Sequence, residues 1–302
     1  MLMFSNPESL LQSWSLPMGL TSVLVSAAAI YFRGWLHLRS AFPKLIPVSR
    51  LAAFLGGLLA LWVALGSPLG MLHHDVLSAH MVQHLLSMTI AAPLLLFGAP
   101  VLPALHGLPP VILRRIINPV LCRPLIHRLG HVLSHPVICL LAPSLALIAW
   151  HIPAPFELGM HSARWHAVQQ ASFFITGIML WWPVVQPWPS LARCPRWFIP
   201  AYLFLATVPC DALSAFLSFY DQVVYPCYRT APAFFGRPPL ADQQFAGALM
   251  WVCVTFIYMV PAVVITMQTL SPSGERQALP EIQSEIQPGF TPPENAAGSG
   301  VL

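Results

Sequence analysis

Residues 244–268 read QFAGALMWVCVTFIYMVPAVVITMQ and contain no charged side chain. Crossing the hydrocarbon core of a bilayer, which is about 30 Å thick, takes about 20 apolar residues in an α-helix. Because lipid offers no hydrogen-bond partner to exposed backbone groups, a helix is the form we expect for such a run. This stretch therefore predicts a membrane-spanning helix.

Similar apolar runs recur along most of the chain. The seven predicted spans are 14–34, 50–67, 77–98, 135–151, 166–186, 197–219 and 244–268. The first has no basic residue before it and no small-residue cleavage site after it, so we expect a true span and not a cleaved signal. Only 8% of the 302 residues are charged, too few to cover a soluble surface. The sequence predicts one all-α, polytopic membrane domain of about seven helices, residues 1–270.

Lysine and arginine are unevenly divided between the two sets of loops. Eleven of the fourteen follow the first, third or fifth span or lie in the tail, and the other three are Arg164, Arg229 and Arg237. Cytoplasmic loops carry the excess of positive charge in membrane proteins. We therefore expect the N-terminus outside and the C-terminus in the cytoplasm. Residues 271–302 are rich in Pro, Gly, Glu and Ala, which predicts a disordered cytoplasmic tail.

Histidines gather at the predicted outer ends of the spans. His80 and His84 lie four residues apart in the third span, so both imidazoles project from one helix face. His151 ends the fourth span, and His166 begins the fifth with Gln170 one turn deeper. Polar groups at membrane depth are unfavourable unless they are paired or used, which favours a ligand role for the His80–His84 pair.

Other polar residues are predicted at the same level of the bundle. The seventh span begins with Asp242 and Gln243 and places Met250 about two turns deeper, and the sixth span carries Asp211. Each type of residue also has an ordinary structural role. An aspartate before a helix caps it, a glutamine forms interhelical hydrogen bonds, and a single methionine packs in a core.

Two further groups receive no assigned role from the sequence. His73, His74 and Asp75 lie in the short outer loop, where they could guide a cation inward or simply be solvated. The six cysteines form no C-x-x-C pair, and we predict that most are small apolar core residues. A bridge or thiol ligand involving Cys210 and Cys227 is open but unsupported.

A transition metal is the ligand that suits this set of side chains. Neutral imidazole with a thioether and a carboxylate suits copper, and less selectively zinc or iron. Histidines also suit haem, and only b-type binding is open because there is no C-x-x-C-H attachment motif. The sequence has no H-E-x-x-H, no phosphate-binding glycine loop and no apparent catalytic triad, so we expect neither an enzyme nor a nucleic-acid partner. A copper site, a haem redox protein and a metal transporter stay open.

Several stretches between about residues 60 and 265 carry a family resemblance. They are S-A-H-M-V-Q-H-L-L at 78–86, P-L-L-L-F-G-A-P at 93–100, H-P at 135–136, W-H-I-P at 150–153, W-W-P at 181–183, Y-P-C-Y at 225–228 and D-Q-Q-F-A-G-A-L-M-W at 242–251. In them the sequence resembles the multi-span CtaG-type assembly factors of caa-type cytochrome c oxidases. The resemblance implies a multi-pass protein of the bacterial inner membrane that binds or delivers copper to the oxidase. The implied partners are oxidase subunits or a copper chaperone.

The resemblance, together with the depth of the polar residues in the spans, indicates which residues form the site. The metal ligands predicted at the outer face are His80, His84, His151, His166 and Asp242, with Gln170, Gln243, Met250 and Asp211 as weaker candidates. The family helix that begins at His166 commonly has a second histidine one turn on, where this chain has Gln170. Because an amide is a poor copper ligand, we expect Gln170 beside the metal and not on it.

Overall fold

The computed structural model describes residues 14, 16–42, 46–121, 123–187, 194–230 and 237–270, and the predicted tail at 271–302 and Cys122 lie outside these ranges. Within them the chain forms twelve helices. They are α1 (Met18–Ala41), α2 (Val48–Gly66), α3 (Leu69–Leu72), α4 (Leu77–Phe97), α5 (Val101–Gly107), α6 (110–121), α7 (Pro124–Leu133), α8 (Pro136–His151), α9 (Pro153–His161), α10 (Ala163–Val185), α11 (Ile199–Phe219) and α12 (Pro239–Leu270). Single 3₁₀ turns cover Arg196–Phe198 and Pro226–Tyr228.

Six of the described helices are long and apolar enough to cross a membrane: α1, α2, α4, α10, α11 and α12. The predicted fourth span corresponds to α8, which reaches that length only together with α7, at a bend of 71°. Pro136 has no backbone N–H and cannot continue α7, and the His135 side chain caps α8 by accepting from the Val137 N–H. The prediction of an all-α bundle with about seven spans is confirmed at six to seven.

Helix α4 lies at the centre of the bundle. It contacts α2, α10 and α12, and it is the most buried of the candidate spans. Helix α11 packs along α12 and also against α8, while α1 packs against α5 and α2 at the periphery. Large apolar side chains cover the outer faces, and Leu59, Phe204 and Phe256 are each more than half exposed. Such faces are expected where the surrounding solvent is lipid.

One turn of α4, Leu86–Ala91, has the wider winding of a π-helix. Pro93 follows it and has no N–H to donate to the carbonyl four residues earlier. The widened turn packs on Gly177 of α10, where a Cβ would lie 2.9 Å from the Met88 Cα. The Trp181 indole N–H donates to the Met88 carbonyl over 3.1 Å. The bulge therefore fixes where Met88 projects, and π-bulges are frequent at functional sites.

Helices α4, α10 and α12 begin at the end of the bundle where α8 and α11 finish. We name this the histidine end, because His80, His151 and His166 lie there. The described arginines at this end are Arg164, Arg229 and Arg237, and the other described arginines belong to the opposite end. By the positive-inside rule we expect the histidine end to face outward.

Candidate metal-binding site

The predicted pair on α4 meets at one point. The Nε2 atoms of His80 and His84 are 2.8 Å apart, and the two residues are 0% and 5% exposed. Two neutral imidazoles can make this contact only if one Nε2 carries a proton and donates it to the other. Ligand nitrogens lie about 2.0–2.1 Å from a metal, which in tetrahedral geometry separates two of them by about 3.3 Å. The rings need to open by only about 0.5 Å to share an ion.

His166 of α10 brings a third imidazole to this pair. Its ring centroid lies 5.8 Å from that of His80, and its Nε2 is 3.3 Å from the Gln170 amide nitrogen. The Nδ1 of His166 is buried and has no hydrogen-bond partner in the described part of the chain. The structure therefore places His166 beside the pair.

His73 adds a fourth imidazole that the sequence interpretation did not assign to the site. It lies in the loop before α4, is 6% exposed, and stacks on His166 with ring centroids 4.2 Å apart. Burial, with the nearby His166 and His74 rings, lowers the pKa of His73 to about 3, so the ring is neutral at physiological pH. Its Nδ1 donates to the Gly70 carbonyl over 2.5 Å, which leaves the Nε2 lone pair free.

His151 completes the group from the end of α8. Its Nδ1 donates to the Leu147 carbonyl over 2.7 Å, so the tautomer is fixed and the lone pair is on Nε2. This Nε2 is buried and has no hydrogen-bond partner among the described residues. His151 and His84 line the same cavity, and the Phe173 ring lies 6.2 Å and 4.3 Å from them. His151 thus faces the same cavity as His84.

We use the term histidine cluster for His73, His80, His84, His151 and His166. Two glutamines hold it in place. The Gln170 amide donates to the Gln83 side-chain carbonyl over 3.2 Å as well as to His166, and the Gln83 amide donates to the Ala64 carbonyl over 2.8 Å. This chain of hydrogen bonds joins α10, α4 and α2. Gln170 orients an imidazole here, and Gln83, which the sequence interpretation did not single out, anchors Gln170.

Asp242, predicted as a metal ligand, is engaged elsewhere in the structure. Its Oδ2 accepts from the Leu77 N–H (2.7 Å) and the Ser78 N–H (3.3 Å), and its Oδ1 accepts from the Ser78 hydroxyl (2.6 Å). These contacts cap α4, so the carboxylate acts on a neighbouring helix and not on its own. The structure assigns Asp242 to helix capping and does not use it to contact the imidazoles.

The three weaker candidates away from Gln170 have different surroundings. Gln243 is fully buried, and its side chain accepts from the Val224 N–H (2.8 Å) and donates to the Gln222 carbonyl (3.1 Å), which fixes the loop before α12. Met250 lines a cavity with two members of the cluster. Asp211 is half-buried on α11, and its Oδ1 has no hydrogen-bond partner among the described residues. Of the three, only Met250 is brought to the histidines.

In the described ranges, no three His, Cys, Asp or Glu side chains are grouped closely enough to hold one metal ion. The closest approach is the His80–His84 pair, with the free lone pairs of His73 and His151 nearby. Structural zinc sites use four ligands in a fixed tetrahedron. The cluster instead suits an ion that accepts two ligands, or one that recruits further imidazoles as their rings turn.

A bundle of six to seven spans with imidazoles gathered at one end defines a polytopic membrane protein with an intramembrane polar site. The family model described as cytochrome c oxidase caa3 assembly factor (Caa3_CtaG) matches residues 29–271. The chain belongs to this family, and the resemblance seen in the sequence is confirmed. Membership implies association with cytochrome c oxidase and a role in its assembly. Comparison with curated proteins and with solved structures gave no match.

Proposed function

We propose that this protein supports oxidase assembly by binding copper at the histidine cluster, on the outer face of the bacterial inner membrane. It then passes the ion to an oxidase subunit or to a copper chaperone. The observation that carries the proposal is the buried His80–His84 contact, 2.8 Å between Nε2 atoms, with further imidazoles around it. Imidazole is a good copper ligand, and a pair that needs little movement can accept and release an ion.

The unpartnered ring nitrogens argue for a ligand over simple packing. Each of the five members of the cluster has one buried nitrogen without a hydrogen-bond partner among the described residues: His73 Nε2, His80 Nδ1, His84 Nδ1, His151 Nε2 and His166 Nδ1. Leaving a buried polar group unpaired disfavours the fold by about 1–3 kcal/mol. On His73 and His151 the unpartnered Nε2 carries a lone pair, because Nδ1 donates to a backbone carbonyl. A bound ion would use these two lone pairs and offset part of that penalty.

The metal content of the purified chain tests the proposal. We expect protein loaded with copper in detergent and then desalted to retain about one copper ion per chain, well above the zinc retained after the same treatment. The visible spectrum separates the alternative, since a Soret band would indicate a b-type haem. A chain that retains no more copper than an unrelated membrane protein purified in parallel would contradict the proposal.

Gln170→His is expected to strengthen copper binding by about tenfold. Gln170 is buried and lies one turn from His166, so the new imidazole would replace a buried amide that binds copper poorly. Competition with a chromogenic copper chelator measures the affinity. Gln170→Leu is the matched control, because it removes the hydrogen bonds to Gln83 and His166 without adding a donor. Equal affinity in Gln170→His and the parent would place position 170 away from the metal.

A further inference from the structure

A cavity of about 50 Å³ lies inside the bundle, below the histidine cluster. Four of the side chains that line it carry sulfur: Met81 and Met88 of α4, Cys210 of α11 and Met250 of α12. His84 and His151 line it as well, so these two imidazoles belong to both the cluster and the cavity. We name the cavity and these six side chains the sulfur chamber.

The sulfur chamber lies near the middle of the membrane-spanning region. Cys210 stands next to the midpoint of α11, and Met250 is about 16 Å along α12 from its first residue. Pro143 of α8 and Pro209 of α11 also line the chamber and interrupt the hydrogen-bond ladders of two helices that pack together. A gap between helices is a natural result of two such interruptions at one level.

Simple core packing is the ordinary role of methionine, which fills irregular gaps. Two observations go beyond it here. The space is not filled, and about 50 Å³ exceeds the 10–15 Å³ that one small guest needs while being far below a cofactor pocket of several hundred Å³. His151 also lines the chamber, is 7% exposed, and has an Nε2 lone pair without a partner among the described residues. A single ion fits this space, and a haem does not.

We propose that the sulfur chamber is a second metal site that holds a soft monovalent ion, Cu(I), between thioethers of Met81 and Met250 and the imidazole of His84 or His151. The inference rests on the proposed function, because it takes the copper bound at the histidine cluster one step deeper. Thioether and thiol ligands select Cu(I), whereas Cu(II) prefers nitrogen and oxygen. All the donors named are neutral.

The charge of the ion favours Cu(I), as the ligands do. The Born free-energy penalty for moving an ion out of water rises with the square of its charge. The penalty is therefore about four times as large for a divalent ion as for a monovalent ion of equal size. The apolar lining of Leu85, Leu147, Leu180 and Val254 gives the chamber little capacity to compensate a double charge. A monovalent ion is therefore the better occupant.

An aromatic pair lies at the side of the chamber away from the cluster. Tyr258 lines the chamber, Trp181 lines a separate open groove at the opposite end of the bundle, and their rings stack edge to face with centroids 5.4 Å apart. Both side chains are almost fully buried. The pair therefore stands between part of the chamber and that groove.

Silver binding to the full chain in detergent tests the chamber. Ag(I) is soft and monovalent like Cu(I) but does not change oxidation state under these conditions. We expect the double variant Met81→Leu/Met250→Leu to bind Ag(I) at least about tenfold more weakly than the parent, as loss of metal-site partners does elsewhere. Leucine conserves side-chain volume, so the fold should persist. Met259→Leu, on α12 but outside the chamber, is the matched control and should bind silver like the parent.

X-ray absorption at the copper edge is the second measurement. Chain loaded with Cu(I) should show sulfur neighbours, and the double variant should lose them. The chamber proposal is overturned if the double variant binds silver as tightly as the parent. It is also overturned if the parent shows only nitrogen neighbours around copper. His80→Ala separates the two ideas, because His80 does not line the chamber. If His80→Ala binds Cu(II) like the parent, the proposed function fails at the cluster, whatever the silver result.

Discussion

Replacing His80 and His84 together is expected to abolish copper retention. The two Nε2 atoms lie 2.8 Å apart and can share one ion with little movement. Loss of one partner of a metal site lowers affinity by 10–100-fold, so loss of both ligands should weaken binding by at least about 100-fold. Element analysis after desalting and a chelator competition titration measure the effect in the His80→Ala/His84→Ala variant.

Two further variants make this result interpretable. Both histidines are fully or almost fully buried, so alanine leaves cavities that can loosen the bundle. The variant His80→Gln/His84→Gln keeps polar side chains of similar size and should lose copper to the same extent. His161→Ala removes an exposed histidine at the same end of the bundle, and it should retain copper like the parent. Normal copper retention in the glutamine variant would reject the site.

The spans could be predicted from the sequence because a segment in contact with lipid must be apolar, so hydropathy identifies it. Each helix must satisfy its own backbone, so length and apolar content suffice to find it. The exception was the fourth span. Its helix α8 has only 16 residues, and the bend of 71° before it depends on how Ser134, His135 and Pro136 turn the chain. Hydropathy averages over such a turn and does not report its angle.

The candidate site was predictable only where one helix determines it. The i, i+4 spacing of His80 and His84 brings their rings together without help from the rest of the fold. His73 lies in a loop, and its stacking on His166 depends on where the Tyr228 hydroxyl holds the His73 carbonyl. That contact joins residues 155 positions apart, so no local pattern reveals it. The only sequence signal was the H-H-D triplet just ahead of the span.

The methionines of the sulfur chamber likewise could not be grouped from the sequence. Met250 was a weak candidate from its depth alone, whereas Met81 and Met88 received no role from the sequence. Met81 follows His80 directly, and Met88 projects from the π-bulge that Pro93 and Gly177 shape. A regular α-helix with 3.6 residues per turn would point the Met88 side chain in a different direction. The cavity they share exists only after five helices pack.

Asp242→Ala should strongly destabilise the bundle. The carboxylate accepts three hydrogen bonds from Leu77 and Ser78, and these are the contacts that cap α4. Loss of a cap weakens a protein by about 0.5–2 kcal/mol, and hydrogen bonds to a charged group contribute about 1.5–3 kcal/mol. We expect the free energy of unfolding to fall by about 2–4 kcal/mol. Denaturant unfolding in detergent, followed by circular dichroism, measures the change.

The same variant decides between the capping role and the predicted ligand role of Asp242. A cap predicts a large loss of stability with copper affinity in the folded protein changed far less than in the His80 and His84 variants. A ligand predicts the reverse, because removing a donor weakens binding without releasing the first turn of α4. Asp242→Asn keeps one acceptor oxygen and should lose about half as much stability. Asp221→Ala removes an exposed carboxylate at the same end, and its free energy of unfolding should stay within about 0.5 kcal/mol of the parent value. A loss of stability seen only at position 242 then reports the cap itself.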